Sequence, residues 1–93
     1  MSAPSPTLSS LVGQKVLVDT DTSFVYVGVL KSVESDYLTL ADVDVHDMRD
    51  SHGTKEIYAL ESAKFGVRAN RTSVYLRADR LVSISRLEDV IRY

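Results

Sequence analysis

The sequence predicts a mainly β domain: five strands closing into a small barrel, a short N-terminal helix, and a second helix inserted between strands three and four. Three observations carry this. Aromatic and β-branched residues gather in runs, most densely from Phe24 to Val33, and such residues fit a pleated surface. The runs are separated by clusters of Asp, Ser, Thr and Asn, whose short side chains bond their own backbone and make turns. The longest run is apolar on both faces at one end and carries Gly28 in its middle. A glycine there marks a bend or a close backbone approach, and long bent strands serve two walls of a small barrel.

The elements follow in order. Residues 1–6 are small, polar and broken by proline, and are expected to be a disordered lead-in to a single domain over 7–93. Thr7 can cap a short helix with Leu8, Leu11 and Val12 on one face and Gly13 at its end. A helix of one or two turns must dock to persist. Val16 and Val18 alternate with Leu17 and Asp19 in strand one, and 19–23 reads as a turn. Strand two is Phe24 to Val33, followed by the turn Glu34-Ser-Asp36. Tyr37 to Val45 is strand three, with Leu38 and Leu40 on one face and Tyr37 and Thr39 on the other. The pattern restarts at Val43 and Val45, which predicts a bulge near Asp42. His46 to Gly53 reads as loop. Thr54 caps a helix to about Phe65 with Ile57, Leu60, Glu61, Lys64 and Phe65 on one side, and Gly66 ends it. Asn70-Arg71-Thr72 is a turn signal. Ser73 to Leu76 and Leu81 to Leu87 are the last strands, separated by Arg77-Ala-Asp-Arg80. Residues 88–93 form a short helix or an extended tail.

Ninety-three residues support one core, because ordering a second would exceed what so short a chain can bury. A domain of this size is marginal alone and gains from oligomerising. The absence of cysteine excludes disulfides and thiolate zinc sites and fits a reducing compartment. The N-terminus has neither the basic nor the apolar part of a signal peptide. No apolar run reaches the roughly 18–20 residues that span a bilayer. A cytoplasmic protein with no membrane contact is therefore expected. Residues 1–50 hold three Lys/Arg and eight Asp/Glu, and residues 51–93 hold eight and five. That asymmetry is either ordinary solvated charge or two faces, one suited to a polyanion.

Several chemistries can be weighed from spacing. His46, Asp47, Asp50 and His52 lie within seven residues and offer imidazole and carboxylate to a zinc-like ion. Their spacing matches no helical pair, so they read as solvated loop residues and no metal is expected. Asp42, Asp44, Asp47 and Asp50 lack the glycine and terminal glutamate of a calcium loop, and Gly53 and Gly66 make no phosphate cradle. No nucleophile, base and orienting group stand together, so neither an enzyme nor a cofactor is expected. Lys64, Arg68, Arg71, Arg77 and Arg80, with Phe65 and Tyr75 among them, form a basic-aromatic set suited to nucleic acid. The alternative is that both rings are core and the cations keep the rim soluble.

Two stretches carry a family resemblance. The first is Lys15-Val-Leu-Val18, Tyr26-Val-Gly-Val-Leu30 and Leu38-Thr-Leu40. The second is Ser73-Val-Tyr-Leu-Arg-Ala-Asp-Arg-Leu-Val-Ser-Ile-Ser85. Together with the leading helix they resemble the Sm/LSm (Sm-like) family, as a divergent member, over roughly residues 7–46 and 72–90. The resemblance implies a small SH3-type barrel. It also implies a homo-oligomeric ring in which one subunit's strand at 73–76 pairs with its neighbour's at 81–87. It further implies single-stranded RNA bound at the pore, with Asp36, Tyr37, Arg77 and Asp79 as the binding residues. Arg77 and Asp79 match the family's turn Arg and acid. Three departures stand out: the turn at 34–36 is about one residue short, so Tyr37 occupies the place of the family's Asn; Ala78 replaces the turn Gly; and the helix at 54–65 is an insertion. A scaffold with the same barrel, which binds a protein partner and no RNA, is the alternative.

Overall fold

Alternating apolar residues become strands and the polar clusters become turns. The computed structural model describes residues 5–50 and 53–92. Its strands are β1 (Lys15–Thr20), β2 (Phe24–Val33), β3 (Tyr37–Asp47), β4 (Arg71–Arg77) and β5 (Leu81–Arg86), and its helices are α1 (Pro6–Ser9) and α2 (Lys55–Phe65). Short 3-10 turns occupy Met48–Asp50, Ala78–Arg80 and Leu87–Asp89. The strands form one antiparallel sheet of order β4-β3-β2-β1-β5. The sheet is not closed: β4 and β5 are its two edges, although they are consecutive in sequence. Strands four places apart in a flat sheet lie about 19 Å from each other, at about 4.8 Å per strand. The chain from Arg77 to Leu81 reaches about 14 Å at most. The sheet is therefore curled, with its edges drawn toward each other.

The concave face holds the core. Val16, Val18, Leu30, Leu38, Leu40, Val43 and Leu76 form one buried cluster, with Leu8, Leu11, Val33, Leu81 and Ile84 packed against it. Leu76 reaches it from one edge and Leu81 and Ile84 from the other, which only a concave surface permits. Two bulges keep the right residues inward. Val27 pairs with Asp44 and Val29 with Ala41, so β3 carries one extra residue, and Asp42 takes a φ of 52°. This is the expected bulge, and it returns Val43 to the face of Leu40. Opposite it, a β-carbon on Gly28 would stand 2.9 Å from the Ala41 carbonyl oxygen, so the glycine permits a close approach of two backbones. The second bulge, at Lys31, restores Val33 to the face of Leu38.

The other face of β1–β3 is covered by α2. Thr54 caps the helix by accepting from the Ile57 N–H. Lys55 Nζ donates to Asp19 Oδ1 at 2.5 Å and to the Thr22 carbonyl at 3.0 Å. The Tyr58 hydroxyl donates to Asp44 Oδ2 at 2.5 Å, and its ring stacks on His46 at 4.6 Å. By register Asp19, Val25, Val27, Asp44 and His46 share that face, which accounts for Val25 and Val27 being buried. The side of α2 read from the sequence is not the side that packs. Ala59 and Ser62 are buried, whereas Ile57 and Phe65 are exposed. A sheet face bearing two aspartates and a histidine selects Lys55, Tyr58 and small residues rather than an apolar stripe.

Other boundaries also move. Ser5, not Thr7, caps α1, and Pro6 sits in its first turn, where proline's fixed φ suits a helix start. Both fall within the lead-in expected over residues 1–6, and residues 1–4 lie outside the described residues. β3 runs through His46 to Asp47 instead of ending before His46, because Ser23 holds its end: Ser23 Oγ donates to Asp47 Oδ1 at 2.8 Å and the Met48 N–H donates to the Ser23 carbonyl at 2.9 Å. β4 starts at Arg71, because Asn70 extends the ladder instead of turning it. Its N–H donates to the Val43 carbonyl, and its side-chain amide both accepts from and donates to the backbone of Val45.

Candidate nucleic-acid interface

The pairing of β3 with β4 brings two turns together. Tyr37, the first residue of β3, is the register partner of Arg77, the last of β4. The Glu34 N–H donates to the Tyr37 carbonyl at 2.8 Å and closes the 34–36 turn. The Ala78 N–H donates to the Asp36 carbonyl at 2.8 Å and ties the 78–80 turn to it. Arg77 Nη2 meets Asp79 Oδ2 at 2.9 Å. Asp36, Tyr37, Arg77 and Asp79 thus stand together at one end of the sheet. Ala78 needs no glycine-like backbone. It starts a 3-10 turn, and Asp42 is the only non-glycine with positive φ among the described residues.

The period of two puts Thr39 and Tyr75, themselves register partners, on the same outward face as Tyr37 and Arg77. Tyr75 is 72% exposed and Tyr37 44%. With Glu34 and Thr39 they line an open recess of about 410 Å³. Tyr75 and Phe65, the latter 83% exposed, are therefore not core. The basic-aromatic set is nonetheless divided. Arg77 and Tyr75 belong to the turn-bearing end. Phe65 and Arg68 line a separate recess beside Tyr58 and Asp44, and Arg80 is paired with Asp21 at 3.0 Å.

Charge at the turn-bearing end is acidic on balance. Glu34, Asp36 and Asp79 accompany Arg77, and Arg80 already has its own carboxylate. The Arg77–Asp79 pair is more than half exposed on both sides, so it contributes at most about 1 kcal/mol and leaves Arg77 available to another acceptor. The surface offers rings and hydrogen-bonding groups more than a positive field. Tyr75 could have been placed from its alternation with Leu76; Glu34 and Thr39 carried no separate signal in the sequence.

The other polar cluster secures α2. Burial pushes the Tyr58 hydroxyl well above its ordinary range, and its bond to Asp44 adds to this. Arg49 and Ser23 hold the Asp47 carboxyl below its usual range by hydrogen bonding. His46 and Asp47 lie in β3 rather than in a loop, the His46 ring against Tyr58; His52 is outside the described residues. Among the described residues no three His, Cys, Asp or Glu side chains converge on a metal position. Nor is any helix among them long and apolar enough to cross a membrane. No family model matches the chain, and no curated protein matches its sequence.

Proposed function

We propose that the chain is an Sm-like small barrel that assembles into a homo-oligomeric ring through its edges and takes single-stranded RNA where the 34–36 and 78–80 turns meet. One observation carries this reading: a curled five-stranded sheet, open between β4 and β5, presents Tyr37 beside Arg77 next to the open edge. Unpaired edges invite strand addition. Pairing β4 of one subunit with β5 of the next is a head-to-tail contact, which closes into a ring when its rotation permits. Unpaired bases stack on exposed aromatic side chains and are read on their edges. Tyr37 supplies a ring, Asp36 and Asp79 accept hydrogen bonds, and Arg77 donates. Because the turns are acidic on balance, stacking rather than phosphate attraction supports binding, so affinity depends only weakly on salt.

Native mass spectrometry, without and then with a short single-stranded RNA, tests this. The expected result is a closed ring of about five to eight subunits that gains RNA, with Arg77→Ala keeping the ring and weakening binding about tenfold. A monomer sinks the assembly, and unchanged affinity in Arg77→Ala sinks the site. A second reading has a specific observation behind it: Ile57, Leu60, Val90 and Ile91 line an apolar groove between α2 and the C-terminal segment, suited to a protein partner. A ring indifferent to RNA at moderate salt, whose capture of a protein is abolished by Ile57→Glu, favours that scaffold.

A further inference from the structure

We infer that the recess between Tyr37 and Tyr75 is a pocket for one unpaired guanine, selected by the Glu34 carboxylate; the inference rests on the RNA reading above and names the base that the site prefers. Tyr75 stands diagonally from Tyr37 on the outward face, because its register partner is Thr39 and that of Tyr37 is Arg77. Such diagonal neighbours lie about 7–8 Å apart, wide enough for a flat ring to enter between the two tyrosines. Thr39, two residues along β3 from Tyr37 and directly across from Tyr75, lines the recess, as does Glu34. Glu34 takes part in no ion pair among the described residues. Its N–H closes the turn onto Tyr37, which ties the residue to the aromatic wall. Arg77 stands directly across from Tyr37 on the same face.

The carboxylate decides among the bases. An ionised Glu only accepts, with two oxygens side by side. Guanine alone presents two adjacent donors on its pairing edge, the ring N1–H and the 2-amino group, and two parallel charge-assisted bonds are the strong geometry for a carboxylate. Adenine and cytosine each offer one amino group beside a ring nitrogen whose lone pair faces the carboxylate. Uracil offers one N–H between two carbonyl oxygens, both repelled. The preference therefore runs from guanine, through adenine and cytosine, to uracil. Stacking on the tyrosines is common to all four.

Fluorescence anisotropy on the full chain tests this with three RNA hexamers: all uridine, the same with one central guanosine, and the same with inosine there, which lacks only the 2-amino group. The guanosine hexamer is expected to bind about tenfold tighter than the uridine one, with inosine between them. Glu34→Gln, checked for an unchanged thermal melt, is expected to abolish the preference and leave uridine binding within about twofold. Tyr75→Ala is expected to weaken all three, since it removes a stacking face. Uridine binding as tight as guanosine binding, or a preference that survives Glu34→Gln, overturns the guanine pocket and leaves the RNA reading standing. Failure of every hexamer to bind overturns both.

Discussion

Replacing Gly28 with alanine tests the packing of the bulge directly. The added β-carbon would lie 2.9 Å from the Ala41 carbonyl oxygen, 3.1 Å from Val43 Cγ2 and 3.2 Å from Val43 Cα. Two of these three atoms are backbone in the bulged part of β3, so no rotamer change relieves them. Overpacking a tight core costs about 1–3 kcal/mol, and the backbone contacts put this case in the upper part of that range. Alanine also stiffens the unfolded chain, which returns about 0.4–1 kcal/mol. The net loss is about 2 kcal/mol, against the roughly 5–14 kcal/mol expected for a domain of this length. Urea unfolding followed by far-UV circular dichroism should show a lower midpoint with an unchanged slope, and the melting temperature should fall by about 10 °C. In a Val43→Ala background one contact disappears and the backbone contacts remain, so most of the penalty should persist. A Gly28→Ala protein within about 0.5 kcal/mol of the parent, or full rescue by Val43→Ala, would refute a backbone-limited approach of β2 and β3.

Two further outcomes concern the docking of α2. Lys55→Met removes the contacts to Asp19 and the Thr22 carbonyl; since both ion-pair partners are about one-third exposed, the loss should be about 1 kcal/mol, with faster amide exchange in α2 than in β2. Tyr58 predicts an alkaline limb. Its hydroxyl keeps its proton in the folded state above its ordinary value of 10.0, through burial and then Asp44, while the unfolded chain releases it. This contribution is fully present below pH 10 and is lost as pH rises beyond it; thermal melts across that range should show the decline, and Tyr58→Phe should make it shallower, leaving the smaller part due to the half-buried Tyr26.

Much of this architecture was legible in the sequence because it rests on local rules. Phe24 to Val33 is dense in strand formers and became β2 with the expected ends. Thr54 and Gly66 bound α2 because capping and termination are decided within a turn of the helix. The Asp42 bulge was visible as a slip in the alternation of Leu38, Leu40, Val43 and Val45. What escaped depended on partners distant in the chain. Asn70 carries a turn residue's signature, yet its amide lengthens β4 only because Val43 and Val45 lie alongside. The packed face of α2 followed from Asp19 and Asp44 beneath it, which no periodicity within the helix reveals. At the turn-bearing end, the pairing of Tyr37 with Arg77 follows from the register of β3 and β4. The recess that includes Glu34, Thr39 and Tyr75 needed the register between strands.

The arrangement of the strands also orders events in time. β1, β2 and β3 meet through short turns, whereas both edges are held by residues distant in the chain, Tyr37 with Arg77 and Val16 with Arg86. Loop-closure entropy favours the meander first and the edges afterwards. The recess takes Tyr37 from the early part and Tyr75 from the late part, so it exists only once β4 has joined β3. Within a single subunit β4 has a neighbour on one side only, and segments with fewer contacts open more readily. A ligand seated across β3 and β4 would then act as a clasp, slowing the release of β4, and its dissociation would be linked to the lifetime of that edge.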